Sequence, residues 1–215
     1  MKKFAIVLSG CGVYDGAEIH ESVTAMLAVC RKGHQYQIFA PDILQYHVIN
    51  HLTGEAMSHE RNVMVEAARI ARGNVQALCA FDASEYDALL FVGGFGAAKN
   101  LSDFAIKDKD YNVIDQVTKA IKSMHSARKP IGAMCVAPVL IADAIGGVEL
   151  TVGAACAASE AIEKRGAKHH VTSHGEVTVD KNNKIATTPC YMLDANIAQV
   201  ADGAEKIVEE LLNLM

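Results

Sequence analysis

Three short runs, Phe4–Ser9, Ala88–Val92 and Ile131–Met134, are apolar almost throughout and lack the alternation of a strand with one wet face. A strand that is apolar on both sides needs cover on both faces, which means a parallel sheet between helix layers. The intervening segments have helical spacing. Residues 17–31 place Ile19, Val23, Met26, Leu27 and Cys30 at three- and four-residue steps and stop at Gly33. Further helices are predicted over about 60–72, with Val63, Ala67 and Ile70 on one face, and around Ile114, Val117, Ile121 and Met124. Others should cover 136–145, about 157–165 and about 193–214. His34–Ala40 reads as a strand closed by Pro41, and short strands are expected near 150–152, 176–179 and 184–188. Repeated βα units define an α/β fold with a mainly parallel sheet and helices on both faces. At 215 residues and 51% hydrophobic content, without repeat or low-complexity tract, the chain suits one domain over 1–215.

A net charge of −5 and a pI near 6.0 leave no basic surface, so nucleic acid is not an expected partner. Nor is a membrane. Leu8-Ser9-Gly10-Cys11 behind Lys2 and Lys3 has the form of a lipoprotein cleavage box. Its apolar stretch falls short of the roughly 7–15 residues of a signal segment, and cleavage would remove the first core strand. The expected location is therefore cytoplasmic. The six cysteines show no CxxC or CxxH spacing and are expected to be reduced thiols.

Cys135 stands out within Lys129-Pro-Ile-Gly-Ala-Met-Cys-Val-Ala-Pro138, where an apolar strand meets an alanine-rich helical run. A thiol there occupies a nucleophile elbow, and a helix N-terminus favours its thiolate below the free value of about 8.5. Ligands of such sheets bind beyond the carboxyl ends of the strands. The double glycine Gly93-Gly94 follows one strand and can bring N–H groups close to a substrate, as in an oxyanion hole. Glu18 begins a helix whose N-terminus faces the same end, as either a site carboxylate or a solvated first-turn residue. His20 either lines the site or sits on the helix surface, and Glu55, with His51, lies on a strand-end loop that could touch substrate. His169, His170 and His174 have no carboxylate or cysteine at ligand spacing, so no metal is predicted. Gly10-x-Gly12-x-x-x-Gly16 departs from the dinucleotide fingerprint, and no cofactor is predicted.

Gly-Ala-Glu18, Gly-Gly-Phe-Gly-Ala-Ala-Lys-Asn-Leu101 and Gly-Ala-Met-Cys135-Val-Ala-Pro resemble the ThiJ/PfpI superfamily of class I glutamine amidotransferase-like proteins. Leu-Ser-Gly-Cys-Gly-Val-Tyr-Asp-Gly, Ile-Asn-His-Leu-Thr-Gly-Glu-Ala-Met and Thr-Thr-Pro-Cys-Tyr-Met are similar to the ElbB-like subgroup, and the likeness spans nearly the whole chain. The resemblance implies a flavodoxin-like three-layer sandwich and a homodimer. It also implies a cofactor-independent glyoxalase acting on small dicarbonyls, with an older link to isoprenoid biosynthesis. Carried over by motif, Cys135 is the nucleophile, Glu18 its carboxyl partner, and Gly94 and Val136 the oxyanion donors. Glutamine hydrolysis would need a histidine in Thr187-Thr-Pro-Cys-Tyr-Met192, and none is there; His125 should lie at the far end of the sheet, leaving only His174. A redox-sensing thiol at Cys135 is the non-enzymatic alternative.

Overall fold

The computed structural model describes residues 1–215. β1 (Lys3–Val7) leads to α1 (Ile19–Arg31), β2 (Gln35–Ala40), α2 (Val63–Ile70) and β3 (Val75–Ala77). β4 (Ala88–Phe91) is followed by the short helices α3 (Phe95–Lys99) and α4 (Phe104–Lys107), then α5 (Asp115–Ser126). β5 (Ile131–Met134) and α6 (Pro138–Ile145) precede β6 (Glu149–Gly153), α7 (Ala157–Lys164) and β7 (Lys168–Val171). β8 (Thr178–Asp180), β9 (Ile185–Thr188) and α8 (Ile197–Asn213) complete the chain.

Seven strands form one sheet in the order β3-β2-β1-β4-β5-β9-β8, all parallel except for edge strand β8, which runs antiparallel to β9. β6 and β7 pair in parallel as a small second sheet, tied to β9 where Thr151 N–H donates to Thr187 Oγ1 at 2.8 Å. Successive residues of β1 feed opposite cores. Ala5 and Val7 join a cluster with Ile121 of α5, Ile141 of α6 and Ile162 of α7. Phe4 and Ile6 join one with Val29 of α1, Val63 of α2 and Ile207 of α8. This is the three-layer, flavodoxin-like sandwich that the apolar strands require.

The sheet departs from the sequence expectations in detail. β3 is a three-residue edge strand, too short for its pattern to announce itself, and the glycine-rich stretch after β4 turns directly into α3. The last helix starts at Ile197, where the Asn196 side chain accepts the Gln199 N–H at 3.0 Å and Gln199 Oε1 accepts the Asn196 N–H at 2.9 Å. Residues 190–192, expected on the loop at the end of the 184–188 strand, form a tight turn there. From β1 the chain winds outward through β2 to β3, then crosses back to β4 and β5 on the other side. The crevice between β1 and β4 is therefore the switch point of the sheet, where ligands of such folds bind. No helix is long and apolar enough to cross a membrane.

Candidate functional site

Cys135 follows β5 immediately and adopts φ +58°, a left-handed conformation that costs a residue with a Cβ about 1–2 kcal/mol. The bend is held by the Cys135 N–H, which donates to Thr188 O at 2.9 Å, and Pro138 opens α6. The side chain is 7% exposed.

Against the thiol lies Glu21, from the first turn of α1. Its carboxyl group is hydrogen-bonded to Cys135 and accepts the Gly93 N–H at 3.1 Å and, more weakly, the Tyr191 N–H at 3.4 Å. Glu21 is wholly buried, and that burial, reinforced by the charge of Glu18, raises its pKa to about 8. At neutral pH it holds its proton. Burial and then the Glu21 charge push the Cys135 thiol well up, although the N–H groups of Gly94 and Val136 donate to the sulfur and act in the other direction. The depressed thiolate predicted from the helix N-terminus is thus corrected: one N–H of the elbow does reach the sulfur, but desolvation outweighs it.

The carboxyl partner predicted at Glu18 is likewise corrected. Glu18 caps α1, its Oε2 accepting the Glu21 N–H at 2.7 Å, and its side chain stands on the wall of the cavity described below. The helix phase explains the discrepancy. Ile19, Val23 and Leu27 form the apolar stripe visible in sequence, yet they are 42%, 47% and 43% exposed. The buried face runs through Glu21, Ser22, Ala25, Met26 and Val29, which carries Glu21 inward to the sheet.

Gly93 permits this pairing. A Cβ there would lie 2.3 Å from Cys135 Cβ and 2.7 Å from Glu21 Oε2. Gly94 adopts φ +93°, and a Cβ on it would meet Glu18 N at 2.5 Å. His20 is exposed and reaches the cavity wall only through its Nδ1, 2.8 Å from the Tyr191 hydroxyl. Glu55 is also exposed and is absent from that wall, so the substrate contact predicted for it is corrected. Its loop folds back to Asp15, whose Oδ2 accepts the Ile49 N–H at 2.7 Å, and His51 stacks on Tyr14. His125 Nε2 sits 3.1 Å from Asn183 Oδ1, at the turn before β9 and hence at the far end of the sheet. His174 does not line the cavity either. The loop after β9 instead supplies buried Cys190, near the Cys135 backbone, and Tyr191. His169 accepts the Val152 N–H and His170 pairs with Glu149; no cluster of His, Cys, Asp or Glu could hold a metal ion.

A cavity of about 460 Å³ opens at Cys135, and twelve of its fifteen lining residues are hydrophobic. Phe104, Cys156, and the adjacent Tyr191 and Met192 contribute to it from three separate segments. Tyr191 and Met192 fall in a motif noted in the sequence, but nothing local marks Phe104 or Cys156, because only the folded chain brings them to the site.

A thiol on a strand–helix elbow at the switch point of a flavodoxin-like sheet places the molecule among the glutamine amidotransferase-like proteins. Within that class the chain belongs to the ES1 family. It is 46% identical over 99% of its length to the mitochondrial ES1 protein homolog of Rattus norvegicus, covering 84% of that protein. Identity is also 46%, over 99% of this chain and 83% of the relative, to the human glutamine amidotransferase-like class 1 domain-containing protein 3, mitochondrial. A crystal structure from Ehrlichia chaffeensis, of an isoprenoid biosynthesis protein with an amidotransferase-like domain, superposes with TM-score 0.91 at 33% identity, covering 99% and 100% of the two chains. Glyoxalase III of Candida albicans shares the fold at TM-score 0.61, with 14% identity and 97% of each chain covered. No family model matches the chain. The naming of these relatives as mitochondrial proteins overturns the cytoplasmic location predicted from the sequence.

Proposed function

We propose that the protein is a cofactor-independent glyoxalase that converts 2-oxoaldehydes to 2-hydroxy acids at Cys135. One observation carries the reading: a buried thiol hydrogen-bonded to the buried Glu21 carboxyl group, with two backbone N–H groups aimed at the sulfur. Glu21 takes the thiol proton while sulfur adds to the aldehyde carbon, and the N–H groups of Gly94 and Val136 hold the developing oxyanion. Glu21 passes the thiol proton on to that oxyanion, and the freed carboxylate then takes the aldehyde C–H proton and delivers it to the neighbouring carbon, while the hydroxyl proton passes to the neighbouring oxygen, giving a thioester of the hydroxy acid. Water releases the acid and returns the thiol. The first carbon is oxidised and the second reduced, so no external oxidant or reductant enters. The name of the Candida albicans glyoxalase III agrees with this chemistry. The cavity wall has no histidine, which disfavours a Cys-His-Glu amidohydrolase. The finer placement beside the ElbB-like proteins rests on the three motifs around Cys11, Thr53 and Cys190.

Glyoxal and methylglyoxal consumption without added glutathione or metal tests the proposal. Hydroxy acid formed in step with substrate loss is the expected result; no consumption would overturn it. The pH profile carries a second prediction. Glu21 is protonated below about 8 and cannot accept the thiol proton, whereas above it the carboxylate can. kcat/KM therefore rises with pH through about 8, and a profile already flat from pH 6 would remove Glu21 from the role of base.

A further inference from the structure

Resting on the glyoxalase reading, we infer that the preferred substrate is an uncharged carbonyl compound with a bulky hydrocarbon or aromatic group, with small dicarbonyls turned over less efficiently and anionic ones disfavoured. The cavity at Cys135 measures about 460 Å³. A water-sized group takes roughly 30 Å³, so methylglyoxal would fill only about a third of the space. Ligand pockets generally bury most of their ligand, and a site this oversized leaves a small dicarbonyl loosely placed for attack.

The chemistry of the walls narrows the class. Phe95, Phe104, Val13 and Met192 contribute rings and chains with no hydrogen-bonding groups, on walls that surround the approach to the sulfur. The carboxyl side chains on the wall are Glu18 and Asp108, and no lysine, arginine or histidine lines the cavity. A substrate carboxylate or phosphate would meet two carboxyl groups and no counter-charge, which acts against binding. The same lack of a cation leaves nothing to hold the carboxylate of free glutamine. The polar groups left for orientation are the Gly94 and Val136 N–H groups at the Cys135 sulfur, and the Tyr191 hydroxyl with its His20 partner.

Two series measured in parallel test this. The first compares turnover of methylglyoxal, straight-chain 2-oxoaldehydes of increasing length and phenylglyoxal. Each methylene taken into the cavity should raise kcat/KM roughly threefold to fourfold, until the space is filled. The second follows covalent labelling of Cys135, by peptide mass, with N-ethylmaleimide, N-hexylmaleimide and 6-maleimidohexanoic acid. Exposed Cys30 and Cys79 serve as references within the same molecule. Relative to them, Cys135 should react faster with the hexyl reagent than with the ethyl one, and at least tenfold slower with the carboxylated one. Ala157→Phe adds a ring to the wall from an exposed position in the first turn of α7 and should pull the long-to-short rate ratio down in both series. Labelling that follows this order without turnover of any oxoaldehyde would uphold the apolar, anion-excluding cavity and overturn the glyoxalase reaction. Methylglyoxal turned over as well as its longer homologues, or carboxylated and neutral maleimides labelling Cys135 equally, would overturn the inference.

Discussion

Turnover is expected to fall by at least about 10³-fold in Cys135→Ala and by about 10²–10⁴-fold in Glu21→Gln, while Glu18→Gln stays within about tenfold of the parent. The first change removes the nucleophile. The second keeps the shape of the side chain but removes its capacity to take a proton from sulfur. Glu18→Gln should leave a different signature, because the Glu18 charge helps to raise the Glu21 pKa. Removing that charge lowers it, so the rate profile moves to lower pH. A Glu18→Gln enzyme as inactive as Glu21→Gln, with an unshifted profile in whatever activity remains, would return the catalytic carboxyl role to Glu18. Stability supplies an independent readout. Folding raises the Glu21 pKa from the usual range near 4.3 to about 8, so the native state binds this proton more tightly than the unfolded chain. Its stabilising contribution is fully present below about pH 4.3 and is lost as pH rises through 8. Glu21→Gln escapes that loss. Its advantage over the parent should grow from near zero at pH 5 to a few kcal/mol at pH 8, a gain on the order of 10 °C in thermal midpoint. Denaturation at both pH values checks the sign.

Gly93→Ala is expected to cost stability and chemistry together. Its φ lies outside the left-handed region, so the penalty is steric. The new methyl group would arrive 2.3 Å from Cys135 Cβ, 2.9 Å from Cys135 Sγ and 2.7 Å from Glu21 Oε2. Neither neighbour can swing clear, since Cys135 is fixed by the elbow and Glu21 is buried on α1. Overpacking of this kind costs about 1–3 kcal/mol, or roughly 2–12 °C in a chain of this size. The thiol and carboxyl group are also forced apart, and a displacement near 1 Å lowers kcat by about 10²-fold. A variant with parental melting and turnover would mean that the Cys135–Glu21 contact is dispensable.

The elbow was legible in sequence because its signals are local: Pro130 before the strand, four apolar residues, Cys135, and Pro138 where a first helical turn tolerates it. The sheet was legible for a similar reason, since runs such as Ala88–Val92 allow no wet face. Glu21 was obscured by its own helix. Ile19, Val23 and Leu27 of the predicted stripe point outward, and the inward face mixes Met26 and Val29 with small residues around a carboxyl group, so hydrophobic periodicity gave no sign that Glu21 turns inward. Glu18 sits in the recognisable motif, three residues away and nearly one turn earlier. The Glu55 loop misled differently, because a strand-end position says nothing of which way a long loop folds, and Asp15 draws this one aside. Tyr191 stands in a quoted motif, but only its contact with His20 and its place on the cavity wall give it a role.

The raised thiol pKa at Cys135 has a bearing on endurance. Peroxide attacks thiolates, and a sulfur that keeps its proton at neutral pH presents little of that form. The shelter that delays proton loss until Glu21 accepts it also slows the irreversible climb to sulfinic and sulfonic acid. If Cys135 carries the proposed reaction, its working atom would survive oxidants that inactivate a more acidic thiol.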